Sequence, residues 1–83
     1  MSDEEVAILA QQLEADLLKL YGSPLISSAD LQRAMGYRTT DALRQSILRK
    51  TIPVKVFTIA NRRGQFALVK DVAKWLAEQA RGN

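Results

Sequence analysis

Apolar positions recur with a helical period along the first part of the chain. Val6, Leu9, Leu13, Leu17 and Leu20 follow at spacings of 3, 4, 4 and 3. Such spacing gathers side chains on one face of an amphipathic helix. Ser2-Asp3-Glu4-Glu5 opens the helix as a capping box, and its acids suit the positive end of the helix dipole. Gly22 closes it, about five turns on. Ile8 and Leu18 fall off the stripe. They are either apolar residues tolerated at the surface or part of a contact with a second subunit.

Shorter patterns follow. Gly22-Ser23-Pro24 reads as a turn and Ser27-Ser28-Ala29-Asp30 as a second capping box. The helix it starts places Leu31, Ala34 and Met35 inward and ends at Gly36. Tyr37, a boundary packing residue, and Arg38 connect to the stretch TTDALRQSILRKTIP, residues 39–53. Thr39 or Thr40 caps this third helix, and Pro53 excludes further helix because proline has no N–H and disfavours helix at Ile52. Residues 54–59 (VKVFTI) and 65–69 (QFALV) are strand-like runs around a polar loop with Arg62 and Arg63 at its tip, which predicts a β-hairpin. Val72, Trp75, Leu76 and Gln79 mark a last helix, opening near Lys70-Asp71 and fraying at Arg81-Gly82-Asn83, with Trp75 in the core.

The order is helix, helix, turn, helix, hairpin, helix. It predicts an α+β fold: a small winged helix-turn-helix over residues 23–80 with a two-stranded β-hairpin wing and a C-terminal helix, preceded by an extra N-terminal amphipathic helix over 1–22. The N-terminal helix either covers its own core alone or also serves as a dimerisation element.

Composition narrows the chemistry. The chain has no cysteine and no histidine, which removes disulfides, thiol catalysis, the usual zinc sites and the commonest general base. The four glycines stand alone, so no phosphate-cradling loop is present, and the carboxylates form no divalent-metal loop. The reading is a protein that is not an enzyme, with no cofactor, metal or small-molecule substrate. No apolar run reaches membrane-span length and the N-terminus is acidic, so the expected setting is cytoplasmic, at the nucleoid, with no membrane partner.

Charge is unevenly placed. Residues 1–22 carry five acids against Lys19 alone, a net −4. Residues 31–63 carry eight basic residues against Asp41 alone, a net +7. A basic block of this kind suits a polyanion.

The third helix sits inside that block. At about 100° per residue, Leu43, Ser46 and Ile47 share one side while Asp41, Arg44, Gln45 and Leu48 share the other, with Arg49 at its edge. A helix of this kind fits the DNA major groove, where arginine pairs with guanine and glutamine with adenine. Arg44 and Gln45 are therefore the expected base readers. Arg49, Lys50 and Lys55 are expected at phosphates near the helix exit, as are Arg38, Thr39 and Thr40 at the helix start. Asp41 is suited to accept from cytosine or to favour the helix N-terminus alone. Leu48 is suited to a thymine methyl or to another protein surface. Arg62 and Arg63 are placed to reach backbone or minor groove.

PLISSADLQRAMGYRTTDALRQSILRKTIPVKVF, with LVKDVAKWLAEQ later, resembles the excisionase and AlpA-like winged-helix regulators of mobile elements, distant relatives of the DNA-binding part of MerR regulators. The matching residues are Leu25-Ile26-Ser27, Gly36, Arg49-Lys50, Ile52-Pro53 and Asp71-Val72-Ala73-Lys74-Trp75-Leu76, and the likeness spans residues 24–79. Ile52-Pro53-Val54 and Arg63-Gly64 are also similar, more weakly, to the pyocin-activator type of phage regulator. The resemblance implies that the second helix of the pair reads DNA with the wing in support, through Thr40, Asp41, Arg44, Gln45, Arg62 and Arg63. It implies a transcription regulator or an architectural factor of site-specific recombination. Two departures stand out: Lys50-Thr51 replaces the glycine usual before the Ile/Phe-Pro step, and the acidic N-terminal helix lies outside the family core.

The expectation is sequence-specific binding of double-stranded DNA, as a dimer or in tandem. The alternative is a protein-interaction module, an adaptor or inhibitor on a winged-helix fold, favoured by Asp41, Leu48, Ile8 and Leu18. RNA binding fits less well, because Phe57 and Phe66 read as core rather than as a base-stacking platform.

Overall fold

A computed structural model of the chain describes residues 1–82. Four helices and one two-stranded antiparallel sheet follow in the order α1 (Asp3–Tyr21), β1 (Leu25–Ser27), α2 (Ser28–Met35), α3 (Thr40–Leu48), β2 (Phe66–Leu68) and α4 (Val69–Gly82). The α+β class is as the sequence indicates. No helix among the described residues is long and apolar enough to cross a membrane.

Helix α1 forms as its ends dictate. The Ser2 hydroxyl accepts from the Glu5 N–H, and the Glu5 carboxylate accepts from the Ser2 N–H. Those bonds hold the Glu5 carboxyl below the ordinary glutamate range, the Ser2 backbone contact being the larger cause. At the other end Gly22 takes φ 69° and donates to the Leu18 carbonyl. The helix lies along α4, and an ion pair between Arg81 and Asp3 joins their far ends. The apolar face is rotated from its expected place at its C-terminal end. Leu18 and Tyr21 pack on the core, while Leu20 is 71% exposed. Tyr21 therefore continues the buried line that Leu20 was expected to continue. Ile8 points outward, 49% exposed.

The core gathers Ile26, Leu31, Met35, Leu43, Val54, Ala67, Val69 and Val72, with Tyr37, Ile47, Trp75 and Leu76 half-buried against it. Trp75 thus lines the core rather than filling it. The fourth helix begins at Val69, directly after β2, and buries Val69, Val72, Ala73 and Ala77. It runs unbroken through Gly82; Asn83 lies outside the described residues.

The sheet differs from the expected hairpin. The ladder runs between β2 and β1, in the register Leu25↔Leu68, Ile26↔Ala67 and Ser27↔Phe66. The run 54–59 contributes a single bridge, Phe57 to Phe66, with N–H···O distances of 2.9 and 2.8 Å in the two directions. Leu25-Ile26-Ser27 was read only as a motif, since three residues are too few for a visible alternation. They pair along the edge of β2 opposite Phe57, where Ile26 and Ala67, facing each other, are both fully buried. The second capping box also fails to form. Ser27 stands at the N-cap without a side-chain bond to the helix, because the chain arrives there as paired strand.

Helices α2 and α3 end alike but at different cost. After α2, Gly36 takes φ 79° and the Tyr37 N–H reaches the Gln32 carbonyl at 3.0 Å. After α3, Lys50 takes φ 57°, the Lys50 N–H reaches Ile47 at 3.1 Å, and the Thr51 N–H reaches Ser46 at 2.9 Å. Both are Schellman closures, which place a left-handed residue just past the helix. The third helix therefore stops at Leu48, before Pro53 acts. Lys50 occupies a conformation that penalises any Cβ. Lys50→Gly is expected to raise stability by about 0.5–1 kcal/mol in urea melts, while removing one cation from the surface described next.

Candidate nucleic-acid interface

The arrangement around α3 starts with its cap. The Thr39 hydroxyl accepts from the Ala42 N–H at 3.0 Å, so Thr39 rather than Thr40 caps the helix. Leu43, only 2% exposed, and half-buried Ile47 anchor the inner side. Ser46 shares that side, with its hydroxyl buried and without a hydrogen-bond partner among the described residues. Asp41, Arg44, Gln45 and Leu48 are all exposed, so no element of the fold covers the outer face. Leu48 is 69% exposed.

On that face Arg44 donates to Asp41 at 3.2 Å, one turn back along the helix. The side chains are 69% and 81% exposed, and a pair so open to water contributes little to stability. It nonetheless keeps the guanidinium along the helix rather than out in solvent. A base edge competes easily with so weak a bond.

The loop before β2 meets this helix. The Ile59 carbonyl accepts from the Arg62 N–H at 3.1 Å, and Asn61 between them takes φ 64°, a value asparagine tolerates. Arg62 and Arg63 stand exposed at the tip. Below them Gly64 takes φ 89° and passes close to Ser28; a Cβ built there would lie 3.4 Å from the serine hydroxyl. The Ser28 hydroxyl accepts from the Gln65 N–H at 3.2 Å and donates to the Gln65 carbonyl at 3.1 Å. One side chain therefore ties the loop base to the start of α2. Thr40, Arg44 and Leu48 of α3 face Ser28, Gly64 and Gln65 across a groove of about 530 Å³.

The sequence reading missed Ser28 and Gln65. They lie 37 residues apart, and a short polar side chain leaves no periodic signal; Gly64 beside them was the only hint. Ser28→Ala is expected to leave both Gln65 backbone groups without their partner, costing about 1–3 kcal/mol in thermal or urea melts.

The remaining cations are divided between two places. Arg38, Arg49 and Lys50 are exposed at the two ends of α3, and together with Arg62 and Arg63 they form no ion pair among the described residues. Lys55 stands elsewhere, in a groove with Asp71, Lys74, Trp75 and Glu78 of α4. Two carboxylates there make it a poorer partner for phosphate than the other five.

No protein-family model, curated protein or solved structure matches the chain.

Proposed function

We propose that the protein binds double-stranded DNA through α3, with the loop before β2 as a wing, and serves as a transcription regulator or as an architectural factor in recombination. The observation that carries this reading is the open outer face of α3. Arg44 and Gln45 are exposed on it, and Arg44 lines the groove whose far wall is Gly64 and Gln65, at the base of the loop that carries Arg62 and Arg63. A helix presenting arginine and glutamine outward has the donors and acceptors that read guanine and adenine in the major groove. Arg38, Arg49 and Lys50 flank it at phosphate positions, and the Thr40 hydroxyl and first-turn amides add neutral donors. The likeness of residues 24–79 to excisionase and AlpA-like regulators supports the same reading.

Each bidentate base contact contributes about 1–3 kcal/mol of discrimination. A single α3 offers few such contacts, so selectivity requires two copies or neighbouring sites. Fluorescence anisotropy against labelled duplexes, including DNA upstream of the protein's own gene and a scrambled control, tests the reading. Binding at low salt that prefers the upstream duplex supports a regulator, and equal binding to both supports an architectural role. No binding at low salt contradicts DNA recognition.

One observation favours a second reading, a protein-interaction module. Leu48, a large apolar side chain, lies 69% exposed on the same face. In that case a protein partner saturates the face and no salt-dependent DNA affinity is measured.

A further inference from the structure

We propose that the groove beside α3 receives the outer face of α1 from a second copy of the chain. The face that α1 leaves open when it packs on α4 has its own pattern. Glu5, Ile8, Gln12, Asp16 and Leu20 recur at spacings of 3, 4, 4 and 4, and all are exposed. The stripe alternates acid and apolar groups, and Ile8 and Leu20 are 49% and 71% exposed. The groove has the opposite character. Ala29, Leu43, Ile47 and Leu48 give it an apolar lining, with Arg44 at its edge and Arg63 next to Gly64 on its far wall. A stripe that carries Ile8 and Leu20 together with Glu5 and Asp16 meets an apolar slot with arginine at its edge.

Charge decides between the ways two copies can meet. Pairing the stripe with its own copy sets Glu5 and Asp16 against the same carboxylates, whereas pairing it with the groove sets them against Arg44 and the adjoining Arg62–Arg63 loop. Nor does the groove take its own α1, because that helix is held along α4 with Leu17 and Tyr21 against the core. The occupant is therefore another copy. The contact is heterologous: each copy presents one ridge and one slot, so copies pair reciprocally or continue in a row. A patch of this size gives weak, reversible association, and its ionic rim makes it sensitive to salt. Because Arg44 and Leu48 lie inside it, association of this kind withdraws the face proposed above for DNA.

Sedimentation velocity of the full chain without DNA tests this, so the outcome is independent of whether DNA binds. The wild type is expected to self-associate at low salt and to become monomeric at high salt. Ile8→Glu destroys the ridge and Leu48→Glu the slot. Both positions are exposed, so both variants keep the wild-type circular dichroism spectrum. Each alone is expected to sediment as a monomer at low salt. An equimolar mixture is expected to restore a 1:1 complex, since Leu48→Glu supplies an intact ridge and Ile8→Glu an intact slot. A wild type that stays monomeric at low salt, a Leu48→Glu variant that still self-associates, or a mixture that stays monomeric overturns the proposal.

Discussion

Raising salt from about 50 to about 200 mM is expected to weaken binding of the protein to duplex DNA by roughly 10³-fold, because each phosphate neutralised releases condensed counterions. The five cations placed at phosphates are Arg38, Arg49, Lys50, Arg62 and Arg63, all exposed and around α3 or the adjoining loop. A log–log plot of affinity against salt then has a slope of about −4.5, from about 0.9 per phosphate contact. Replacing Arg62 and Arg63 together with alanine is expected to make the slope shallower by about 2, with the same loss for preferred and scrambled duplexes. Lys55→Ala, against the carboxylates of α4, is expected to leave the slope nearly unchanged. That outcome assigns the phosphate contacts to one side of the molecule. An equal loss from Lys55→Ala would move the interface toward α4.

The second large effect concerns stability. Leu31 is fully buried in the core, on α2 where it meets the sheet, and Leu48 is 69% exposed on α3. Leu31→Ala is expected to cost about 2–5 kcal/mol, combining lost transfer energy with a cavity in a close-packed interior. A domain of this length has a total stability on the order of 4–12 kcal/mol. The substitution therefore removes a large share of it and lowers Tm by about 10 °C or more in circular dichroism melts. Leu48→Ala is expected to stay within about 0.5 kcal/mol of wild type, because it uncovers no core. The contrast is informative because the residue type is the same at both places. A large loss at Leu48 would mean that its side chain is covered, which excludes it from any docking surface.

Local rules read well from the sequence wherever a helix end or a buried stripe was at stake. The Ser2–Glu5 box, the stops at Gly22 and Gly36, the Thr39 cap and the division of α3 into a Leu43–Ile47 side and an Arg44–Gln45 side all depend on neighbours within about one turn. Features that depend on distant partners were not legible. Nothing in VKVFTI reveals that its ladder shrinks to one Phe57–Phe66 bridge, or that Leu25–Ser27 pairs along the other edge of β2. Ser28 had no role of its own in the Ser27–Asp30 capping box, yet its hydroxyl bonds Gln65 across the fold. Lys50 was read as a phosphate contact standing where the family has glycine, with no sign of its backbone conformation. Its φ of 57° shows that the backbone keeps the conformation glycine would favour. Lys55 shared a charge block with Arg49 and Lys50, but the chain turns away after α3 and carries it to another groove. Sequence proximity therefore located the outer face of α3, and only the tertiary fold separated the cations beside it from those elsewhere.

Selection of duplexes from a randomised pool, carried out in parallel with the wild type and with Arg44→Ala, tests base reading by α3 most directly. Arg44 makes no contact with the core, and its pairing with Asp41 is open to water, so the variant keeps its fold. The wild type is expected to enrich a defined sequence containing a guanine that the variant no longer requires. The variant is expected to bind that sequence about 10- to 100-fold less tightly, the loss of one bidentate contact. A variant that enriches the same sequence with undiminished affinity would contradict the account, and so would a wild type that enriches none.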